Sequence, residues 1–486
     1  MPTSRLLQHL RNYASAGLIT ALAGLISFPL MTRNLSVADY GIVGLITSSI
    51  TLFIAFGKLG VQHAVIRYFS QIKNGNIAFS SMQLHSTVTA MFLMLASCAS
   101  LLFLVLGFQV LPVLLQYEDI ASLFPLATAI VFIRILGSGV INFLRAEQRS
   151  ADVAIGQGLT RCLNLALLIA VVLIAVLDPH AVLACLLLAE LTGVCYVVWQ
   201  YRSELYFNLA DISSDLGRGM LVYGLPLMIL ESLGLVLRLS DRYIIEAMLG
   251  VNELGQYSAS YNLTAYLDLI ILATLLQAIR PAYMQIWESQ SKEHTRRFLA
   301  RGLHIYVVVG IPFITMFSVT SPYLLSLLAG PRYAPGTVII PWVAISFWLE
   351  GAMIFLTAGL YIVKNTSVLM YCSLLATLTN LGLNVLLIPQ FGLIGAAVVT
   401  VFSYAVFIAA ATFLSFRHIS FKIGWLVPAA ATVTSLLVYF VFRHINFGND
   451  LSNFLGKGVL GTATLLIVIW CLDKPFRQWI TELTSS

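Results

Sequence analysis

Seven charged side chains within apolar runs long enough to cross a membrane are candidates for chemistry: Arg134, Arg161, Glu190, Glu231, Arg238, Asp268 and Glu350. Charge in hydrocarbon is expensive, so such residues face a cavity or a partner. Arg134 precedes the polar turn at Arg145 by about 11 residues, and Arg161 follows the other end of that turn at Asp152 by about 9. At about 1.5 Å per residue, both guanidiniums sit roughly 13–17 Å deep on adjacent antiparallel helices. A guanidinium stays charged at any working pH and donates two parallel hydrogen bonds, which suits a diphosphate. The alternative is structural, with each arginine paired to Glu190 or to a backbone carbonyl. Glu231 and Arg238 share one helical face, and Asp268 shares a stripe with Tyr257, Tyr261 and Thr264. Depth counting puts both acids near the midplane, where a carboxylate is a candidate for coupling to an ion gradient or else pairs with Arg238 or tyrosine hydroxyls. Glu350 is a third candidate for that coupling. Pro226 removes a helical hydrogen bond early in its run, which suits a hinge, although early-turn prolines are also tolerated without function.

Enzyme chemistry has no foothold in the pattern. There is no Walker A loop, no HExxH and no nucleophile elbow, and the eight histidines are scattered. The six cysteines lie in apolar runs without metal-ligand spacing. No catalytic group, metal, cofactor or nucleic-acid partner is therefore expected.

The elements that must position these charges are membrane helices. Of 486 residues, 59% are hydrophobic and 10% charged, and the mean hydropathy is +0.91. A soluble chain would carry about a quarter charged residues. With about 20 apolar residues needed per crossing, spans are expected at about 13–31, 41–60, 87–108, 121–141, 153–176 and 181–199, then 220–239, 255–279, 303–325, 337–363, 369–388 and 393–414, and finally 423–442 and 457–472. The first run follows Arg5, His9 and Arg11 and is read as a retained helix, not a leader. With both termini inside, the outer connections keep only Arg33, Arg242, Arg332, Arg443 and Lys457, with Arg238 at the margin. Nearly all the remaining Lys and Arg fall inside, as the positive-inside rule requires. The outer connections are too short to fold into the domain that a membrane glycosyltransferase or polymerase needs. The inner connections at 64–79, 201–219 and 280–301 read as interfacial amphipathic helices on an anionic leaflet.

The chain also looks duplicated. Leu35-Ser36-Val37-Ala38-Asp39-Tyr40-Gly41 is echoed by Leu249-Gly250-Val251-Asn252-Glu253-Leu254-Gly255, Asn164 by Asn380, and Pro125 by Pro341, at an offset of roughly 215 residues. Such repeats build transporters that rock about a central site.

Several local patterns resemble the Wzx-type polysaccharide flippases of the multidrug/oligosaccharidyl-lipid/polysaccharide superfamily. They are Tyr223-Gly224-Leu225-Pro226, Asp241-Arg242-Tyr243-Ile244-Ile245, Gly255-Gln256-Tyr257-Ser258-Ala259-Ser260-Tyr261-Asn262 and Asn142-Phe143-Leu144-Arg145-Ala146-Glu147-Gln148-Arg149. The resemblance implies an all-α integral membrane fold: two pseudo-symmetric six-helix bundles, 1–207 and 208–418, around a central cavity, with two additional helices in 419–486. The cargo it implies is an oligosaccharide on undecaprenyl diphosphate, flipped from the inner to the outer leaflet of the bacterial inner membrane for O-antigen, capsule or exopolysaccharide synthesis. Arg134, Arg161 and Arg238 would then hold the diphosphate. Membrane lipids, a polysaccharide polymerase and a chain-length regulator are the expected partners. The rival expectation is a multidrug or cation antiporter of the same superfamily, whose cavity would be acidic or apolar.

The topology is testable directly. A C-terminal fluorescent fusion should glow and a C-terminal alkaline phosphatase fusion should be inactive. Strong phosphatase activity there would mean that the span count is wrong by an odd number.

Overall fold

The computed structural model describes residues 3–109, 120–422, 424, 426–473 and 477; the side chains of 3–14, 267–278, 469 and 472 also lie outside the description. Asp268 and Lys474 therefore lie outside the described residues, as do the Arg5 and Arg11 side chains. The described chain is helical, with no strand.

The first helices are α1 (Thr3–Asn34), α2 (Val37–Gly57), α3 (Val61–Lys73), α4 (Ser81–Gln109), α5 (Ile120–Ala146), α6 (Ser150–Ile174) and α7 (Pro179–Tyr201). There follow α8 (Ser214–Leu249), α9 (Val251–Ser289), α10 (Lys292–Ala329), α11 (Ile340–Leu356), the short α12 (Ala358–Ile362), α13 (Thr366–Ser415), α14 (Leu426–His444) and α15 (Asp450–Leu472). Their starts are fixed by local chemistry. The side chains of Ser36, Asp178, Ser213 and Ser291 each accept a hydrogen bond from a backbone N–H in the first turn, and Pro179 opens α7 where no N–H is needed.

Among the described residues, 12 helices are long and apolar enough to cross a membrane. One of them, α13, has 50 residues and is broken at Gly392 (φ 59°, ψ −142°), so it supplies two crossings in the register expected from hydropathy. α9, whose middle lies outside the description, is long enough for another. The total agrees with about 14 spans.

The duplication reappears in backbone geometry. Gln148 (φ 62°) ends α5 and Lys364 (φ 56°) ends α12, an offset of 364 − 148 = 216 residues. At the first, Arg149 N bonds Leu144 O at 2.8 Å; at the second, Asn365 N bonds Leu360 O at 2.9 Å. Both turns close a helix by the same left-handed residue and the same bond pattern.

The chain divides by contact into Met1–Gly255 and Gln256–Ser486. α8 belongs with the first unit because it packs on α2, α3 and α4. Two glycine contacts bind that unit. Gly41 and Gly255, the last residues of the two repeated motifs, lie against each other: a Cβ on Gly41 would stand 2.7 Å from the Gly255 nitrogen, and one on Gly255 would strike the Val37 carbonyl. Gly60 (φ 75°) likewise meets the backbone of Gly224. α3 packs one face against α5, α8 and α4, burying Val61, Gln62, Ala64 and Val65, and leaves Ile66, Arg67, Ser70 and Lys73 exposed. The other two inner connections differ in form. The 201–219 segment is pinned to α4 by Asn208 N to Ser86 Oγ and Ser213 N to Thr87 Oγ1, both 3.0 Å, while α9 and α10 run almost continuously through 280–301.

In the second unit, α10 packs against α11, α14 and α15. Met316 and Val319 of α10 share a core with Val438, Phe442 and Leu465. Polar contacts run along the same helix: Lys457 Nζ to Tyr323 OH at 2.6 Å, Ser326 Oγ to Asp450 Oδ2 at 2.6 Å, and His304 Nε2 with Asp473 Oδ2 at 3.0 Å. The helix begins at Asp450, so Lys457, expected in an outer connection, is buried inside α15. Its ammonium is held by the Tyr323 hydroxyl and ring.

Gly255→Ala should lower the melting temperature of the solubilised protein, since overpacking against backbone costs about 1–3 kcal/mol. Gly234→Ala, where a Cβ would meet nothing within 4 Å, should be neutral or stabilising by up to about 1 kcal/mol. Equal melting temperatures for Gly255→Ala and wild type would show that the two motifs have room to spare.

Candidate functional site

Arg134 on α5 and Glu190 on α7 are brought together, with Nη2 to Oε1 at 2.6 Å and 24% and 14% side-chain exposure. Arg161, on α6 beside them, is exposed and lies within electrostatic reach of both. Two cations and one anion leave this trio with one net positive charge. The sequence placed Arg134 and Arg161 on neighbouring helices, and both helices pack against α7. Glu190 was legible only as an alternative partner, and the structure makes that pairing.

Glu231 lies elsewhere, and its partners come from far away in the chain. Leu59 (φ 46°) and Gly60 (φ 75°) bend the chain between α2 and α3. Because Gly60 and Gly224 both lack a side chain, α3 and α8 approach backbone to backbone there. Glu231 is seven residues, about two helical turns, beyond Gly224 and so on the same face. Its Oε2 accepts from Gln62 Nε2 at 3.1 Å and lies 3.2 Å from His63 Nε2, with Lys58 near enough to add attraction. Gln62, His63 and Lys58 were not singled out from sequence. The signal was the Gly57-Lys58-Leu59-Gly60 break at the end of an apolar run. Pro226 is exposed on α8 two residues past the Gly224 contact, and the helix runs through it.

Arg238 is half-buried on α8, and its carbonyl accepts from Arg242 Nη1 at 3.4 Å. Asp241, Arg242 and Glu246 of the same helix are buried. The Tyr243 and Ser49 hydroxyls, 2.6 Å apart, tie α8 to α2.

In the second unit, Glu350 Oε2 accepts from Tyr404 OH at 2.9 Å. Glu350 stands 350 − 134 = 216 residues after Arg134, and Tyr404 stands 404 − 190 = 214 after Glu190. Equivalent helices are thus bridged at equivalent places, by a guanidinium in one copy and a carboxylate in the other.

The Glu147–Arg149 stretch is a structural clasp. Arg149 reaches Asp152 at 2.7 Å, Glu204 at 2.9 Å and the Gln200 carbonyl at 3.2 Å. Tyr201 OH donates to Glu147 at 2.8 Å and lies 3.0 Å from His85 Nε2. Burial raises the Glu147 carboxyl above its ordinary value, the Tyr201 bond opposing. The clasp joins α4, the α5–α6 turn and α7.

Residues 6–287, more than half of the chain, match the family model of polysaccharide biosynthesis proteins. The chain belongs to this family. A probable low-salt glycan biosynthesis flippase of Haloferax volcanii is 25% identical over 251 residues, 49% of this chain and 51% of that protein. The chain spans about half the length of the curated relatives it matches. The solved structure of the lipid II flippase MurJ in an inward closed conformation superimposes with a TM-score of 0.75 at 10% identity, covering 96% of this chain and 99% of that one. An inward-facing multidrug resistance transporter of the MATE family, in the MOP superfamily, gives 0.67 at 14% identity, covering 82% and 94%. At those identities the likeness is one of fold: this member of the polysaccharide biosynthesis family has the fold of these two transporters.

A double-mutant cycle tests the Arg134–Glu190 pair. Arg134→Gln should destabilise the protein by about 3–5 kcal/mol by leaving a half-buried carboxylate unpaired, and Arg134→Gln with Glu190→Gln should recover most of that loss. Additive effects in thermal unfolding would mean that the two groups do not interact.

Proposed function

We propose that the chain is a lipid-linked oligosaccharide flippase of the bacterial inner membrane, with both termini cytoplasmic. Its cargo on this reading is an oligosaccharide on undecaprenyl diphosphate, destined for O-antigen, capsule or exopolysaccharide. The observation that carries the reading is the Arg134–Arg161–Glu190 trio, net positive inside apolar helices of a chain from the polysaccharide biosynthesis family. A cavity for cationic drugs would favour the opposite sign.

In this mechanism Arg161, exposed, takes the diphosphate, and Arg134, oriented by Glu190, donates a second charge-assisted contact. Arg238 is a further anchor. Glu231 is the leading coupling group, with Asp268 and Glu350 as candidates beside it. Protonation of Glu231 would weaken its hold on His63 and Gln62, loosening α8 from the α2–α3 elbow beside Pro226. The elbow is then the element that an ion gradient biases. A polymerase and a chain-length regulator are proposed as the receiving partners.

Loss of the gene should leave lipid-linked sugar units on the inner leaflet. In proteoliposomes, Arg161→Gln should weaken cargo affinity on the order of ten- to a hundredfold, for a lost contact of roughly 1.5–3 kcal/mol. Arg161→Lys should rescue in part, and the effect should not depend on the sugar. Glu231→Gln should transport without gradient dependence. Normal export by Arg161→Gln at normal expression would sink the diphosphate assignment, and unchanged gradient dependence in Glu231→Gln would move coupling elsewhere.

A further inference from the structure

The second unit contains a feature that the transport reading does not use. α10, α11, α13 and α14 enclose an apolar groove of about 840 Å³, walled by Val307, Ile311, Leu349, Ile408 and Phe413. A second cavity of about 590 Å³ is lined by Arg296, Arg297, Lys422 and one acid, Glu293. The two adjoin, with Phe416, Phe421 and Lys422 in the walls of both. The segment after α13 is held in place by Ile419, which is buried among Leu303, Ala352 and Phe355, and Phe416 packs on Phe421 at 5.1 Å.

The charge at this mouth is unbalanced. Glu293 is shared between Arg296 at 3.6 Å and Arg297 at 3.4 Å, which leaves Lys422 unopposed within the cavity lining. The Arg296 Nε is buried and has no hydrogen-bond acceptor among the described residues. An apolar slot ending in three cations and one acid matches an amphiphile with an anionic head. Arg296, Arg297 and Lys422 all belong to connections that the charge asymmetry assigns to the cytoplasmic side, where a basic pocket between membrane helices meets anionic lipid headgroups.

We propose that this groove holds an anionic phospholipid of the cytoplasmic leaflet, with acyl chains along Val307, Ile311 and Phe413 and the phosphodiester at Arg296, Arg297 and Lys422. The lipid is resident and is not cargo. A transported ligand needs a site at the interface of two repeats, reachable in turn from both sides. This groove is walled by a single unit and has its charge at one end. By bridging α10 to the segment between α13 and α14, the lipid secures the two additional helices to the bundle. The inference does not rest on the identity of the transported molecule.

The test uses the intact chain in detergent, with phosphatidylglycerol or phosphatidylcholine of identical acyl chains, and native mass spectrometry to count retained lipid. Wild type should retain phosphatidylglycerol and release phosphatidylcholine. Arg296→Gln, Arg297→Gln and Lys422→Gln combined should weaken phosphatidylglycerol binding on the order of a hundredfold, at about 1 kcal/mol for each charge. Ala409→Phe, which fills the groove and keeps every charge, should also lower retention. Should the triple variant fold poorly, Lys422→Gln alone, at an exposed position, should still show roughly a fivefold loss. Equal retention of the two lipids, or wild-type binding by the folded charge variants, would overturn the proposal. Stoichiometric displacement of phosphatidylglycerol by undecaprenyl diphosphate would also overturn it, by giving the groove to the cargo.

Discussion

Hydrocarbon supplies no hydrogen-bond partner, so every backbone N–H and C=O at membrane depth must be satisfied by the chain itself. The consequence is a protein made of helices, in which each interruption needs a local replacement for the bonds it breaks. Where the helices end, the chain also replaces the bonds locally. At the α2–α3 elbow, Lys58 N still reaches Ile54 O and Leu59 N reaches Phe56 O, so the chain turns without abandoning its donors. The left-handed residues Gln148 and Lys364 close α5 and α12 by the same device. Polar side chains gather at these places: the Glu147–Arg149 clasp surrounds Gln148, and Gln62 and His63 meet Glu231 just past Gly60.

The same constraint acts on charged side chains. Arg134 is held by Glu190, Lys457 by Tyr323 and Asp473 by His304. Such pairs add little net stability, because the desolvation of both groups offsets their attraction. Their effect is registry. A helix slipped by one residue would strand a charge in hydrocarbon, and the penalty for that is large. Along α10, polar contacts at His304, Tyr323 and Ser326 therefore fix where α15 begins and how it lies. This is the same helix whose inner end carries Arg296 and Arg297.

The spans were legible because apolar length and loop charge report directly on crossing a bilayer, and both are local properties of the sequence. The break in α13 at Gly392 falls between the spans expected at 369–388 and 393–414 for the same reason. Contacts between distant segments were not. Glu231 meets His63 across 168 residues, and nothing in the spacing of either run specifies the other. The backbone approach of Gly60 to Gly224 creates that contact, and a glycine marks only that an approach is allowed. The partners of α3 were hidden for a related reason: an amphipathic stripe shows that one face is buried without showing which helices cover it. The contact division falls after Gly255 because α8 packs back on α2, α3 and α4.

Duplication explains why the two copies share geometry, and divergence explains why they need not share chemistry. The α5–α7 bridge and the α11–α13 bridge occupy corresponding positions, 216 and 214 residues apart at their two ends. One is Arg134 with Glu190 and the other is Glu350 with Tyr404. Helix packing constrains the site of a polar contact more tightly than its sign, since a bridge of either charge ties the same two helices. Sign is then free to be set by what the cavity must hold. With Arg161 beside it, the first copy's bridge is net positive, while in the second the Glu350 carboxylate accepts from the Tyr404 hydroxyl. On the proposed reading the anionic carrier is drawn to the arginines, while Glu231 at the α2–α3 elbow leads the coupling and Glu350 is a further candidate for it.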